Sequence, residues 1–290
     1  MKNQLKMYAL EIVAILVLII YMLPFVIVLI NSAKPVLDII VDPLALPEDP
    51  ARIFTNIEAV MASQVVRYTS SFISSSIITI ISVFALVIIS SMAAWVLVRT
   101  KSTLSTVIFM IFVAAMVIPF QVVMFPLVSW FHRIEVFTGL INTPFRLLQN
   151  YPGIILAYMG FGTPLSIFLY HGFIKGIPLE LEEAAKIDGC SSAKTFFSIV
   201  FPVLKPITVT VMILNGIWIW NDFLLPLMVL GTGNAVQTIP LAVQHFVGSF
   251  VRRWDLILTT TLMGMLPVVI IFIFLQKYII KGMVDGAVKG

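Results

Sequence analysis

Residues 175–205 read KGIPLELEEAAKIDGCSSAKTFFSIVFPVLK, a charged island inside a chain that is otherwise mostly oily. Glu180, Glu182, Glu183 and Asp188 stand there against Lys175, Lys186, Lys194 and Lys205. Pro178 suits a first helical turn, and the three glutamates after it set negative charge at the positive end of the helix dipole. Ala184 and Ala185 favour helix and permit close approach of another backbone. Gly189 fits the residue just past a helix end. Ser191 or Ser192 then caps a second short helix through Phe197 and Ile199, which Pro202 and Pro206 close. The stretch predicts two helices joined by a tight turn, more structure than a mere connector between two apolar segments needs. We read it as a docking element.

Outward from this elbow the chain looks like a membrane protein. Of its 290 residues 60% are hydrophobic and 11% charged, against about 25% charged in soluble domains. The net charge of +4 is spread along loops, with no cluster suited to nucleic acid. A single cysteine, Cys190, excludes an intrachain disulfide framework and a Cys-based metal site. No GxxxxGK[ST] phosphate loop occurs, so the chain is not itself expected to hydrolyse ATP.

A span takes roughly 20 apolar residues. Six stretches qualify, about 8–30, 72–98, 104–130, 153–173, 207–230 and 256–280. The first is too long for a signal-peptide core and lacks a cleavage site, so it is expected to stay as an anchor. An even number of spans places both termini on one side, and Arg99 and Lys101 in a very short loop make that side cytoplasmic. The elbow and a tail, 281–290, fall on the same side. The expected class is all-α, one transmembrane domain over 1–290.

Within the spans, polar residues are few. Ser71, Ser75, Thr79 and Ser82 lie within about 80° of arc on one helix, a stripe suited to helix packing or to lining a pathway. Pro119, Gln121 and Pro126 interrupt the third span, and freed carbonyls there require new partners. His132, Arg133 and Glu135 have no metal-ligand spacing and read as a solvated loop. In the fifth span Asn215, Trp218 and Asp222 share one face, with Asp222 about 24 Å along the axis from Pro206. An intramembrane carboxylate marks a function or a buried partner. Trp beside Asn and Asp also suits a sugar, ring on ring with amide and carboxylate on hydroxyls. We take structural use, with Asp222 anchoring a helix end or pairing at a subunit interface, as the stronger reading.

Glu183-Ala184-Ala185, then Gly189, then Pro202 after an apolar run, resembles the EAA loop of bacterial ABC importer permeases. The fuller string from Pro178 to Pro206, with Ile187-Asp188-Gly189, is similar to the carbohydrate branch. So are Trp220-Asn221-Asp222-Phe223 with Pro226, and the tail with Gly282, Gly286, Ala287, Lys289 and Gly290, which looks like the maltose importer's smaller membrane subunit. Cys190 in place of a small alanine and Phe201 before Pro202 depart mildly from the pattern.

The resemblance implies a six-helix type I importer domain in a bacterial cell membrane. Its implied partners are a second homologous permease subunit (a different chain by this likeness, a second copy of this one being the alternative), two ATPase subunits and an external solute-binding protein. ATP and Mg would be bound by the ATPases, with no cofactor in this chain. Glu182, Glu183, Ala184, Ala185, Asp188 and Gly189 would form the coupling surface, and Glu183 would meet a basic residue of the ATPase. Asn215, Trp218 and Asp222 become candidate pathway residues. The outer loop 34–69, with a short helix over 51–61, would face the binding protein or serve as a plain connector. Rival readings are a permease for a non-sugar polar solute such as a glycerol phosphate ester, or an ion-coupled secondary transporter with Asp222 at its centre.

Overall fold

Hydrocarbon offers the backbone no hydrogen-bond partner, so a spanning chain has to satisfy its N–H and C=O groups within helices. The computed structural model describes residues 2–64, 66–140, 146–247 and 253–287, and among them the regular elements are all helices. In chain order these are α1 (Lys2–Asn31), α2 (Val36–Val41), α3 (Arg52–Ala62), α4 (Tyr68–Arg99), α5 (Thr103–Ala115) and α6 (Phe120–Leu140). There follow α7 (Tyr151–Ile174), α8 (Glu180–Ile187), α9 (Ser192–Thr195), α10 (Phe201–Val203) and α11 (Lys205–Asn221). The last are α12 (Leu224–Val229), α13 (Ile239–Val243) and α14 (Trp254–Ala287). Among the described residues four helices are long and apolar enough to cross a membrane, or up to six if each of two bent pairs counts as one span.

The chain divides into two units. The first comprises Met1–Thr69 with Ala242–Pro267. Its polar knot sits at the end of α1, where Asn31 donates to the carbonyls of Ile27 and Pro43 and buried Lys34 donates to the carbonyl of Asp42. The Ser32 carbonyl accepts from both Asn56 of α3 and Thr259 of α14. The segment after α1 is therefore pinned through backbone oxygens, and the short helix expected over 51–61 is present as α3.

The second unit, Ser70–Leu241 with Val268–Gly290, holds the main apolar core, including Ile78, Leu86, Tyr158, Ile167, Tyr170 and Phe196. Ser71, Ser75 and Ser82 of the α4 stripe are buried, Thr79 is half-buried, and Ser75 Oγ accepts from the Ile239 N–H at 2.9 Å. That favours the packing reading of the stripe. On α7, Asn150 caps the helix start and Gly153 lets the chain fold back tightly. A β-carbon there would lie 1.8 Å from the Leu147 carbonyl oxygen.

Four expectations change. The third span is not one kinked helix: α5 and α6 meet at 105°, because Pro119 ends the helix and 3₁₀-type bonds such as Met116 N–H to Val113 C=O tighten its last turn. His132, Arg133 and Glu135 lie on α6 rather than in a loop, and Glu135 Oε1 accepts from the N–H groups of Leu147 and Leu148. The fifth apolar stretch, expected unbroken over 207–230, ends as α11 at Asn221 and restarts as α12 at Leu224. Beyond 280, α14 continues as helix to Ala287, where a flexible tail was expected. Lys289 and Gly290 lie outside the described residues.

Candidate functional site

The elbow forms much as its sequence dictates, with shifts where each of its helices was bounded. Pro178 sits just ahead of the N-cap Leu179, so α8 starts two residues later than a proline at the first helical position implies. At the other end Gly189 adopts φ +77°. Its N–H bonds to Lys186 C=O at 3.0 Å and the Cys190 N–H to Ala185 C=O at 2.9 Å, the paired bonds of a Schellman cap. Ser191 then caps α9, accepting from the Lys194 N–H. The second helix does not stop near Ile199. It passes through a π-helical turn, Phe196–Val200, and α10, then bends by 77° into α11. Pro206 therefore opens the next span instead of closing the elbow.

Helical spacing splits the coupling candidates between two faces. Glu183, Ala184, Asp188 and Gly189 are exposed, together with Glu180, Lys186 and Ile187, the last 87% exposed. Ala185 and Glu182 are buried. Burying a carboxylate costs several kcal/mol unless it is paired and hydrogen-bonded, and Glu182 is both. Its Oε1 accepts from Arg99 Nε at 2.8 Å and its Oε2 from Trp95 Nε1 at 2.9 Å. Arg99 also donates from a terminal nitrogen to the Ile177 carbonyl at 3.1 Å. The Trp95 ring packs on Phe196 of the π-helical turn, with centroids 5.3 Å apart. Sequence reading took Arg99 only as a topology signal and left Trp95 and Phe196 aside. The available clue was spacing: Trp95 and Arg99 stand i, i+4 on one face of α4.

The second candidate site is a groove of about 860 Å³ walled by α5, α6, α7 and α11. The 105° bend gives it two walls from one apolar stretch, Phe112 and Ala115 on α5, Leu127 and Trp130 on α6. From α11 it receives Asn215 and Trp218. Asn215 is buried, its amide donating to Ser166 Oγ at 3.1 Å and to Val211 C=O at 2.9 Å. Trp218 is 37% exposed and packs edge-on against Tyr158, centroids 5.4 Å apart.

Asp222, the third member of the stripe, is not among the residues lining the groove. It is half-buried at the break after α11, accepting from Tyr158 Oη at 3.1 Å and, through Oδ1, from the Leu224 N–H at 3.0 Å. Its carboxylate holds the end of one helix and the start of the next. Trp220 faces a separate apolar groove of about 320 Å³ with Phe84 and Phe272. Among the described residues no cluster of His, Cys, Asp and Glu is arranged to hold a metal ion.

Gly162 makes the floor of the main groove possible. A β-carbon there would lie 2.6 Å from Leu86 Cδ1 and 2.7 Å from Asn215 Oδ1. Three helices, α4, α7 and α11, converge on that missing side chain.

With this geometry in hand, comparison with known proteins is informative. Residues 86–285 match the family described as "Binding-protein-dependent transport system inner membrane component". The probable starch degradation products transport system permease protein AmyC of Thermoanaerobacterium thermosulfurigenes is 36% identical over 99% of both chains. The melibiose/raffinose/stachyose import permease protein MelC of Bacillus subtilis is 42% identical over 76% of both chains. The multiple sugar-binding transport system permease protein MsmG of Streptococcus mutans is 31% identical over 93% of both chains. A chain from the crystal structure of a bacterial ABC transporter involved in the import of the acidic polysaccharide alginate superposes with a TM-score of 0.74. It covers 92% of this chain and 95% of its own length at 18% identity, a likeness of fold. The elbow, the bent spans and these relatives together make the chain a multi-pass membrane permease of the binding-protein-dependent ABC import family.

Proposed function

We propose that this chain is one membrane-spanning subunit of an ATP-driven importer of sugars or oligosaccharides in a bacterial cell membrane. ATP and Mg are bound by two separate ATPase subunits, an external binding protein delivers the solute, and a second, different permease chain completes the pathway. Both termini and the elbow face the cytoplasm, consistent with the density of Lys and Arg in the short loops. The single observation that carries this reading is the capped α8, which presents Glu183, Ala184 and Asp188 outward around exposed Ile187. Ile187 at that exposure, with charged residues beside it, leaves an apolar contact for a partner to cover.

Motion of the ATPases would press on α8, and packed helices would answer by shifting between discrete arrangements. The groove would then form one wall of the solute path, with Trp218 as a platform for an apolar sugar face. Carbohydrate is supported by the relatives, which are named for starch products, for melibiose, raffinose and stachyose, and for multiple sugars. The relatives do not favour a glycerol phosphate ester or ion coupling. For ion coupling, moreover, Asp222 already has its oxygens on Tyr158 and Leu224.

The test is purification with the products of the neighbouring genes, followed by ATP-dependent uptake of labelled raffinose or maltotriose into proteoliposomes. An ATPase should accompany the chain, and uptake should need both ATP and the binding protein. Uptake driven by an ion gradient without ATP would overturn the reading. Glu183→Lys should leave insertion intact and separate ATP hydrolysis from uptake.

A further inference from the structure

The elbow is joined by the backbone to α7 through 175–179 and to α11 through 188–204. The structure adds a third link, to a helix that is remote in sequence. Glu182 of α8 holds Arg99 and Trp95 of α4, Arg99 also holds the Ile177 carbonyl ahead of α8, and Trp95 packs on Phe196 behind it. One end of α4 is thus tied to both arms of the elbow.

From there the connection runs on without slack. Only Thr100–Ser102 separate α4 from α5. Ser102 Oγ caps α5 by accepting from the Ser105 N–H at 3.1 Å, and Ser105 Oγ donates back to the Leu97 carbonyl of α4 at 2.6 Å. The first turn of α5 is therefore bonded to the last turn of α4. Its other end carries Phe112, Ala115 and Met116 into the groove.

We propose that Glu182 is a positioning residue that passes displacement of the elbow, through Arg99 and Trp95, to the α4–α5 corner and so to the groove wall. This rests on the importer reading and assigns Glu182 a role different from its neighbour Glu183. Glu183 faces outward to a partner, whereas Glu182 is answered inside the chain. A pair with a buried carboxylate resists sliding, since moving Arg99 away leaves the Glu182 charge buried and unpaired.

The experiment uses the assembled complex in proteoliposomes, with Cys190→Ser removing the chain's single cysteine and Met116→Cys as reporter. The readout is the rate of labelling by a charged maleimide, with and without ATP and orthovanadate. In the otherwise unaltered chain the rate should change with nucleotide. Glu182→Gln and Arg99→Gln should each shrink that change by roughly fivefold or more, the lower range for coupling between distinct sites. The ATPase should still copurify, and the double variant should be no worse than either single one, as expected of two residues acting as a unit. Trp95→Phe keeps the ring and removes the N–H, so it should give a smaller loss. It carries the test if Glu182→Gln does not accumulate.

An undiminished nucleotide effect in these variants, or additive losses in the double, would overturn the proposal. So would an unaltered chain whose reporter ignores nucleotide while uptake is ATP-driven. Failure of any ATPase to copurify with the unaltered chain would instead bring down the importer reading, and this inference with it.

Discussion

The elbow and the groove are built from the same second unit by opposite means. The elbow is made by adjacent residues: Leu179, Gly189 and Ser191 fix its ends through bonds spanning five residues or fewer. The groove is made by distance: Gly162, Asn215 and the α5–α6 bend come together only when four helices pack. Local construction gives a part that can be pressed as one piece. Convergent construction gives a part whose shape depends on every wall, and that difference suits a lever and a pathway respectively.

The contrast can be broken most sharply at Gly153 and Gly189. Gly153→Ala sets a β-carbon against a backbone carbonyl, and should cost upwards of ~3 kcal/mol, at or beyond the usual limit of overpacking. Loss of monodisperse protein in detergent chromatography is the measure. Gly189→Pro forces a φ of −65° where the turn needs +77° and deletes the N–H bonded to Lys186. It should cost about 3 kcal/mol locally, as for proline in a helix interior, and abolish uptake while the spans still insert. An elbow that tolerated Gly189→Pro would not be the rigid local unit described above.

Smaller effects sharpen the picture on the groove side. Gly162→Ala should destabilise by about 1–3 kcal/mol, read as a lower melting temperature in detergent, because Leu86 and Asn215 must both give way. Trp218→Ala should leave the fold in place and weaken uptake through a raised KM. Asp222→Asn keeps an oxygen for the Leu224 N–H but turns the oxygen that accepts from Tyr158 Oη into an amide NH2, so that hydroxyl has to turn round and accept. It should cost about 1 kcal/mol, as for one hydrogen bond. A complete loss of transport with normal stability in that variant would return Asp222 to the pathway. Glu180→Gln, on the exposed face, should change stability by no more than about 0.5 kcal/mol.

How far each part could be read in the chain follows from the same distinction. Caps, turn glycines and apolar runs are local signals, so the end of α8, the turn at Gly189 and the short helix α3 were legible. The 105° corner was not, because Pro119 announces a break without its angle. Asp222 was legible as an anchor of a helix end, since an oily span gives a carboxylate few other uses, but its partner Tyr158 lies 64 residues away. Glu182 and Glu183 are the sharpest case. Adjacent and chemically identical, one is buried and the other exposed. Only the position of Arg99 reveals which is which.

That opposition also dictates the surface offered to another protein. With Glu182 neutralised internally, the outer side of α8 shows Glu180, Glu183 and Asp188 against Lys186, an acidic collar around a greasy tip. A complementary cavity has to be basic at its rim and apolar at its bottom. Raised ionic strength should therefore loosen the rim contacts while sparing both the buried tip and the shielded Glu182–Arg99 bond.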